Sequence, residues 1–187
     1  IKHASNSFLA MKISFINAVA TICEMAGGNV EEVARGMGMD ARIGASFLRA
    51  GIGYGGSCFP KDVDAFASIA DKLGYPFGLL KEVQRINAEQ RARFVKRMEE
   101  ELWVLKEKRI GILGLSFKPD TDDVRESPAI DIANRLAEKG AHVRAYDPKA
   151  VEKARPLLQG VEIVASAYDA ADGADALVIA TEWKEFR

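Results

Sequence analysis

The hydrophobic pattern of this chain changes period once, near Lys106–Arg109, and that change restricts the fold to two unlike domains. Before it, everything reads as helix. Ser5–Met25 carries apolar residues on nearly every face (Phe8, Leu9, Met11, Ile13, Phe15, Ile16, Val19, Ile22), the pattern of a buried helix. Gly27-Gly28 stops it, and Asn29 caps the next helix, Val30–Met37, with Glu32 at the capping-box position. A third helix runs from Pro60 to Leu73. After a turn at Gly74–Pro76, residues Leu79, Val83, Ile86, Phe94, Met98 and Leu102 mark one stripe of a long helix. Beyond the change, Ile110–Leu115, Ala141–Tyr146, Val161–Val164 and Ala176–Ala180 read as strands. Helices at Ser127–Lys139, Val151–Leu158 and Tyr168–Asp172 separate them. Strands alternating with helices form a parallel sheet with crossovers. The expected fold is therefore α/β. Residues 1–103 form an all-helical domain that includes the long helix, and residues 104–187 form a parallel-sheet domain.

Charge excludes two classes of partner. With 26 basic and 27 acidic side chains the net charge is -1, which gives no electrostatic case for nucleic acid or an anionic membrane. No stretch reaches eighteen uninterrupted apolar residues, so no membrane partner is expected. Two cysteines, Cys23 in an apolar run and Cys58 in a loop, fit a reducing, cytoplasmic setting better than a disulfide scaffold. The chain opens in mid-pattern at Ile1 without an initiator methionine and stops abruptly at Arg187, which reads as a piece of a longer protein.

The segment Gly53-Tyr-Gly-Gly-Ser-Cys-Phe-Pro-Lys-Asp62 puts Cys58 on a glycine-rich loop that runs straight into a helix. A thiol just before a helix start meets the positive end of the dipole and unpaired backbone N–H groups, and Lys61 adds a cation. Both favour the thiolate, the nucleophilic form. The glycines leave room for a ligand close to the backbone. From the loop alone, a reactive thiol and an inert residue filling a tight turn remain equally open.

Other residues are more ambiguous on their own. Lys2 and Asn6 share a helix face; alone they read as terminal residues. Asp62 follows Cys58 by one helical turn, either as a charge on the dipole or as a carboxylate beside a nucleophile. Arg42 reads as surface, and His3 and His142 match no metal spacing and receive no role. Gly111-Ile-Leu-Gly114 does not complete Gly-x-Gly-x-x-Gly, so the first strand turn is not an ordinary dinucleotide site. The charged loop Phe117–Arg125 nevertheless leaves the carboxyl end of a parallel strand, where α/β sheets bind ligands. Phe117 suits stacking on a base, and Lys118 and Arg125 suit phosphates; a solvated surface loop is the plainer account. Asp120, Asp122 and Asp123 match no calcium loop, and no metal is expected.

Taken together, four stretches resemble the UDP-glucose 6-dehydrogenase branch of the nucleotide-sugar dehydrogenase family. They are Lys2-x-x-x-Asn6-x-Phe-Leu-Ala10, Asp40-Ala-Arg-Ile-Gly44, the Gly53–Asp62 block, and Gly114-Leu-Ser-Phe-Lys-Pro-Asp-Thr-Asp-Asp-Val-Arg-Glu-Ser-Pro128. The resemblance spans almost the whole chain. It implies a central helical dimerisation domain joined by a long helix to a Rossmann-like, UDP-sugar-binding domain that is incomplete at its C-terminal end. The family's N-terminal Gly-x-Gly-x-x-Gly domain and its later arginine contact to the nucleotide sugar are missing, which implies poor NAD binding and little turnover by this piece alone. The implied reaction is oxidation of UDP-glucose to UDP-glucuronate with two NAD+. The implied nucleophile is Cys58, with Lys2 on the developing oxyanion and in proton transfer, Asn6 holding that oxygen or a water, and Asp62 positioning or activating water. The resemblance carries Arg42, Phe47, Leu48, Arg49 and the backbone from Gly51 through Tyr54 and Gly55 to the sugar and diphosphate. Lys2 and Asn6 also touch substrate. It carries Phe117 and Lys118 to the nucleotide side, and Cys58, Lys61 and Arg125 to the NAD side. The implied partner is a second copy, through the long central helix.

Besides the possibility that Gly111-x-x-Gly114 binds NAD by itself, two alternatives stay open. One is a sibling acting on GDP-mannose or a UDP-N-acetyl sugar, although Tyr54 with Phe59-Pro60 leans toward UDP-glucose. The other is a non-catalytic dimerising or nucleotide-binding module.

Overall fold

The computed structural model describes residues 1–186, which fall into two compact units, Ile1–Gln90 and Arg91–Arg187. The division lies within the long helix, earlier than the expected boundary after residue 103, because the two halves of that helix pack into different cores.

The first unit contains α1 (Lys2–Ala26), α2 (Val30–Gly38), α3 (Phe59–Lys72) and the first half of α4 (Gly78–Leu102). Ala10, Tyr54, Val63, Ala67, Leu80 and Val83 form its core, with Met11, Ile13, Phe59, Phe66 and Phe77 packed against them. α1 is not apolar-buried all round as its sequence suggests. Its buried positions are mostly small or polar (Ser7, Ala10, Ser14, Asn17, with Ile16 and Cys23), while Phe8, Phe15, Ile22 and Met25 are exposed. Small side chains let a neighbouring backbone approach, and the hydroxyl of Ser14 donates to the Val83 carbonyl at 3.0 Å. By length and mean hydropathy (1.5 over its most apolar window), α1 is apolar enough to cross a bilayer. The bonds of Ser14, Asn17 and Lys12 to other parts of the unit make it a core helix of that unit. In α4 the buried stripe is Leu80, Val83, Asn87, Val95 and Met98, one residue out of register at its start, so Leu79 is exposed.

The second unit is built on a parallel sheet of order β3-β2-β1-β4. Its strands are β1 (Arg109–Leu113), β2 (His142–Tyr146), β3 (Val161–Ile163) and β4 (Ala176–Ile179). The crossovers are α5 (Pro128–Glu138), α6 (Val151–Ala154) and α7 (Ala167–Ala171). α6 is half the length its pattern suggests and passes into a 3-10 turn at Arg155–Leu157, where Pro156 has no N–H to continue the helix. The chain steps from β1 outward to β3 and then returns to β4 on the other side of β1, so the topological switch point lies between β1 and β4. The loop from Gly114 leaves the carboxyl end of β1 at that point.

Candidate functional site

Cys58 is exposed and occupies the N-cap of α3, with its carbonyl accepting from the Asp62 N–H at 2.9 Å. The loop before it is pinned at two points by Asn87 of α4: the Tyr54 N–H donates to Asn87 Oδ1 (2.8 Å), and Asn87 Nδ2 donates to the Tyr54 carbonyl (3.1 Å). A side chain at Gly53 is excluded, since its φ is +99° and a Cβ would lie 2.7 Å from Asn87 Oδ1. Phe59 packs against Phe47 and Tyr54, both at 5.9 Å between ring centres, the Tyr54 ring edge-on. Phe47 holds a left-handed backbone (φ 66°), a conformation that bulky residues adopt only when surroundings impose it. Ser57 Oγ lies 3.7 Å from the Cys58 sulfur.

Asp62 is fully buried, one turn into α3. The first turn of α1 converges on it. Asn6 Nδ2 donates to its Oδ2 at 2.5 Å, Lys2 Nζ lies 3.8 Å from the same oxygen, and His3 Nδ1 lies 3.2 Å from Oδ1. The Asn6 hydrogen bond, and then the charges of Lys2, His3 and Lys61, hold the Asp62 carboxyl below the usual carboxylate range against burial, which pushes it up. A buried anion is thereby set one helical turn from an exposed thiol, with the Lys2 side chain, 66 % exposed, beside it. Such a set can steady negative charge that develops on a substrate oxygen.

The remaining expected residues of this unit surround the loop at different removes. Arg42 is largely exposed, and its guanidinium forks onto Asp40 (2.6 Å at its shortest), which holds that carboxyl below the usual range. Lys12 donates to the carbonyls of Ile43 and Gly44, fixing the loop that carries Arg42. The Gly51 N–H donates to Asn17 Oδ1 at 2.8 Å. Leu48 is buried and Arg49 exposed, and with Ala50 they line a cleft of about 340 Å³ beside α2. Gly55 is half-buried and Lys61 exposed on the first turn of α3. The structure thus gathers Lys2, Asn6 and Asp62 into one cluster and leaves Arg42 on its own loop.

In the second unit, Phe117 is half-buried, its N–H donates to the Asp123 carbonyl, and the Lys118 ammonium lies 5.4 Å above its ring. Arg125 forks onto Asp123 and Lys153 pairs with Asp122, so two of the three loop carboxylates have cation partners. Among the described residues no group of three or more histidine, cysteine or carboxylate side chains is placed to hold a metal ion. The loop is anchored by Asp147, a buried residue after β2. Its Oδ2 accepts from the N–H groups of Leu115 and Ser116, from Ser116 Oγ and from the Trp183 indole. Its Oδ1 accepts from the N–H groups of Lys149 and Ala150. In dinucleotide-binding folds an acidic residue at this strand end takes the ribose hydroxyls. Here both oxygens are committed internally, and a Cβ at Gly114 would meet Thr181 at 2.4 Å. The β1 turn of this unit therefore does not fit a dinucleotide.

His3, Asn17, Asn87 and Asp147 carry no motif. For Asn17 and Asn87 a signal exists, since an amide inside an apolar helical stripe requires a partner. Asp147 reads only as the end of a strand, and His3 has no signal beyond its place next to Lys2.

The models of two domains match this chain: the central domain of the UDP-glucose/GDP-mannose dehydrogenase family over residues 1–89, and that family's UDP binding domain over residues 111–187. UDP-glucose 6-dehydrogenase YwqF of Bacillus subtilis is 52% identical over the whole chain, which spans 43% of that relative. A UDP-glucose dehydrogenase structure from Pyrobaculum islandicum superposes with a TM-score of 0.94 at 42% identity, over 99% of this chain and 43% of that one. A UDP-D-ManNAc dehydrogenase structure from Pyrococcus horikoshii gives 0.81 at 32%, over 99% and 42%. The chain thus spans less than half the length of the relatives it matches, and within that length both its units belong to the UDP-glucose/GDP-mannose dehydrogenase family.

Proposed function

We propose that the protein containing this chain oxidises UDP-glucose to UDP-glucuronate, in two two-electron steps with Cys58 as the nucleophile. The observation that carries the reading is the convergence of Lys2 and Asn6 on buried Asp62, one helical turn from an exposed thiol. NAD+ supplies the hydride acceptor for both oxidations. Lys61 and Arg125 are the cations of this chain proposed to meet its diphosphate.

The chain's own residues account for the steps between. The Cys58 thiolate adds to the C6 aldehyde, forming a C–S bond and an oxyanion next to the Lys2 ammonium. After the second oxidation the sulfur holds C6 as a thioester. Water then adds to that carbonyl and the C–S bond breaks; one proton of the water restores the thiol and the other passes to solvent as the carboxylate leaves. Asp62 is held ionised, which makes it a weak base. Its role is to orient Lys2 and Asn6: the Lys2 ammonium steadies the C6 alkoxide, and the hydroxyl proton that the first oxidation releases passes to a water held by Asn6 and Asp62.

Phe117 and Lys118, on the loop at the switch point, are proposed to meet the uridine side of the substrate, and Arg42, Phe47, Leu48, Arg49 and the backbone of Gly51–Gly55 its sugar and diphosphate. A second copy of the chain is the proposed partner. The apolar stripe of α4 is buried within its own chain, whereas Phe8, Phe15 and Ile22 of α1 stand exposed at seven-residue spacing, which favours α1 as the contact. Cytoplasmic residence follows from the family's biosynthetic chemistry.

The test is the rate of NAD+ reduction by the purified full-length protein on UDP-glucose, UDP-N-acetylmannosamine and GDP-mannose. UDP-glucose is expected to be preferred at least about 100-fold in kcat/KM, and to slow alkylation of Cys58 by iodoacetamide. Preference for GDP-mannose contradicts the assignment.

A further inference from the structure

Two amides that the reaction above does not use hold the loop ahead of Cys58. Asn17 of α1 accepts the Gly51 N–H at 2.8 Å. Asn87 of α4 takes both backbone groups of Tyr54: its Oδ1 accepts from the N–H at 2.8 Å, and its Nδ2 donates to the carbonyl at 3.1 Å. Both asparagines are buried. Exchanging bonds with the N–H and the C=O of one residue is what a paired strand does, and here a helix side chain does it. Tyr54 is itself buried, so its backbone groups have no water to turn to, and a loop that dips into a core needs such partners.

The approach is close. A Cβ at Gly53 would lie 2.7 Å from Asn87 Oδ1 and 3.2 Å from the Asn87 carbonyl, so the loop lies directly on α4 at this residue. On either side of Tyr54 is the Gly51–Gly55 backbone proposed above to meet the sugar and diphosphate. Further on, the Tyr54 ring packs edge-on against Phe59, the residue after Cys58, at 5.9 Å between ring centres. An apolar side chain of similar size at position 87 would leave the Tyr54 N–H and C=O without partners inside the core. The loop would then leave this place to reach water.

We propose that Asn87 is a positioning residue for the substrate: by holding both backbone groups of Tyr54 it keeps the Gly51–Gly55 backbone in the arrangement that binds UDP-glucose. This rests on the reading of that loop given above. A loop that spends only about a tenth of its time in the binding arrangement weakens the apparent affinity about tenfold. The core that this face of α4 packs into is uncharged (Ala10, Tyr54, Val63, Ala67), and the cation one turn on, Arg91, is paired with Asp131 at 3.5 Å. A carboxyl put in place of the amide, buried against the Tyr54 carbonyl, would therefore titrate above the usual carboxylate range.

The test is the Kd of the full-length protein for UDP-glucose by calorimetry, which reads the affinity of the folded molecules whatever fraction has unfolded. It compares Asn87→Leu and Asn87→Asp with the wild type at about pH 8.5 and about pH 6. Asn87→Leu is expected to raise Kd about 10-fold or more at both. Asn87→Asp is expected to match that loss at the higher pH, where a carboxylate oxygen faces the Tyr54 carbonyl. At the lower pH most of the loss is expected to be recovered. The protonated carboxyl then donates its O–H to that carbonyl, and its other oxygen accepts the N–H. If the leucine variant does not fold, the aspartate variant carries the test by itself, since it is compared at two pH values. An unchanged Kd in Asn87→Leu, or a ratio of Asn87→Asp to wild type that does not move with pH, overturns the proposal while leaving the function standing. A wild type that does not bind UDP-glucose in the same titration brings down the reading of the loop, and this proposal with it.

Discussion

Asp62 has no exposed surface, yet its carboxyl sits below the usual range because Asn6 donates to it and Lys2, His3 and Lys61 surround it with positive charge. A folded-state value below the unfolded one contributes stability that is present above the unfolded carboxylate range, about pH 4, and is lost as pH falls through the lower folded value. Asp40, Asp122, Asp123 and Asp175 share the same sign. Asp62→Asn removes one member of that set. The gap between thermal midpoints at pH 7 and pH 3 is therefore expected to shrink in the variant, as read by calorimetry. A gap equal to the wild type's contradicts the depressed carboxyl. At this scale the sequence was partly legible. The four-residue spacing of Lys2 and Asn6, and of Cys58 and Asp62, puts each pair on one helix face, but nothing local says that the two faces meet. Their meeting depends on α1 packing against α3 through small residues such as Ala10, a tertiary fact.

At the scale of elements, α1 partly inverts the usual arrangement: Phe8, Phe15, Ile22 and Met25 are outside, and most of its fully buried positions, Ile16 apart, are small or polar. Counting apolar residues alone therefore described it as buried on every face. The two outward phenylalanines, Phe8 and Phe15, are 59% and 51% exposed. If this face meets a second copy, Phe15→Glu places an unpaired charge in an apolar contact at about 3 kcal/mol or more, over 100-fold in the dimer Kd. Sedimentation of the full-length variant is expected to give monomers where the wild type gives dimers. An unchanged dimer excludes α1 as the contact. Strands and helices of the second unit were well marked by the change of period, because β1 is a continuous buried run and β2 and β3 alternate with β-branched or aromatic residues. The shortening of α6 was legible in Pro156, whose missing N–H the apolar pattern concealed.

At the scale of the molecule, one chain joins two kinds of core, and each carries a different part of the proposed chemistry. The helical unit presents the thiol and its charged neighbours. The sheet unit presents a loop at its switch point, braced by an internally committed Asp147 that leaves this turn unsuited to a dinucleotide. The division of labour was legible in the missing Gly-x-Gly-x-x-Gly, while the brace was not, since a lone Asp-Pro looks like any strand end. The account as a whole stands on the sulfur of Cys58, and the most direct measurement is the rate at which full-length Cys58→Ser forms UDP-glucuronate from UDP-glucose and NAD+. A fall of at least about 1000-fold is predicted, the scale of losing a covalent nucleophile; formation of the acid at the unmutated rate would contradict it.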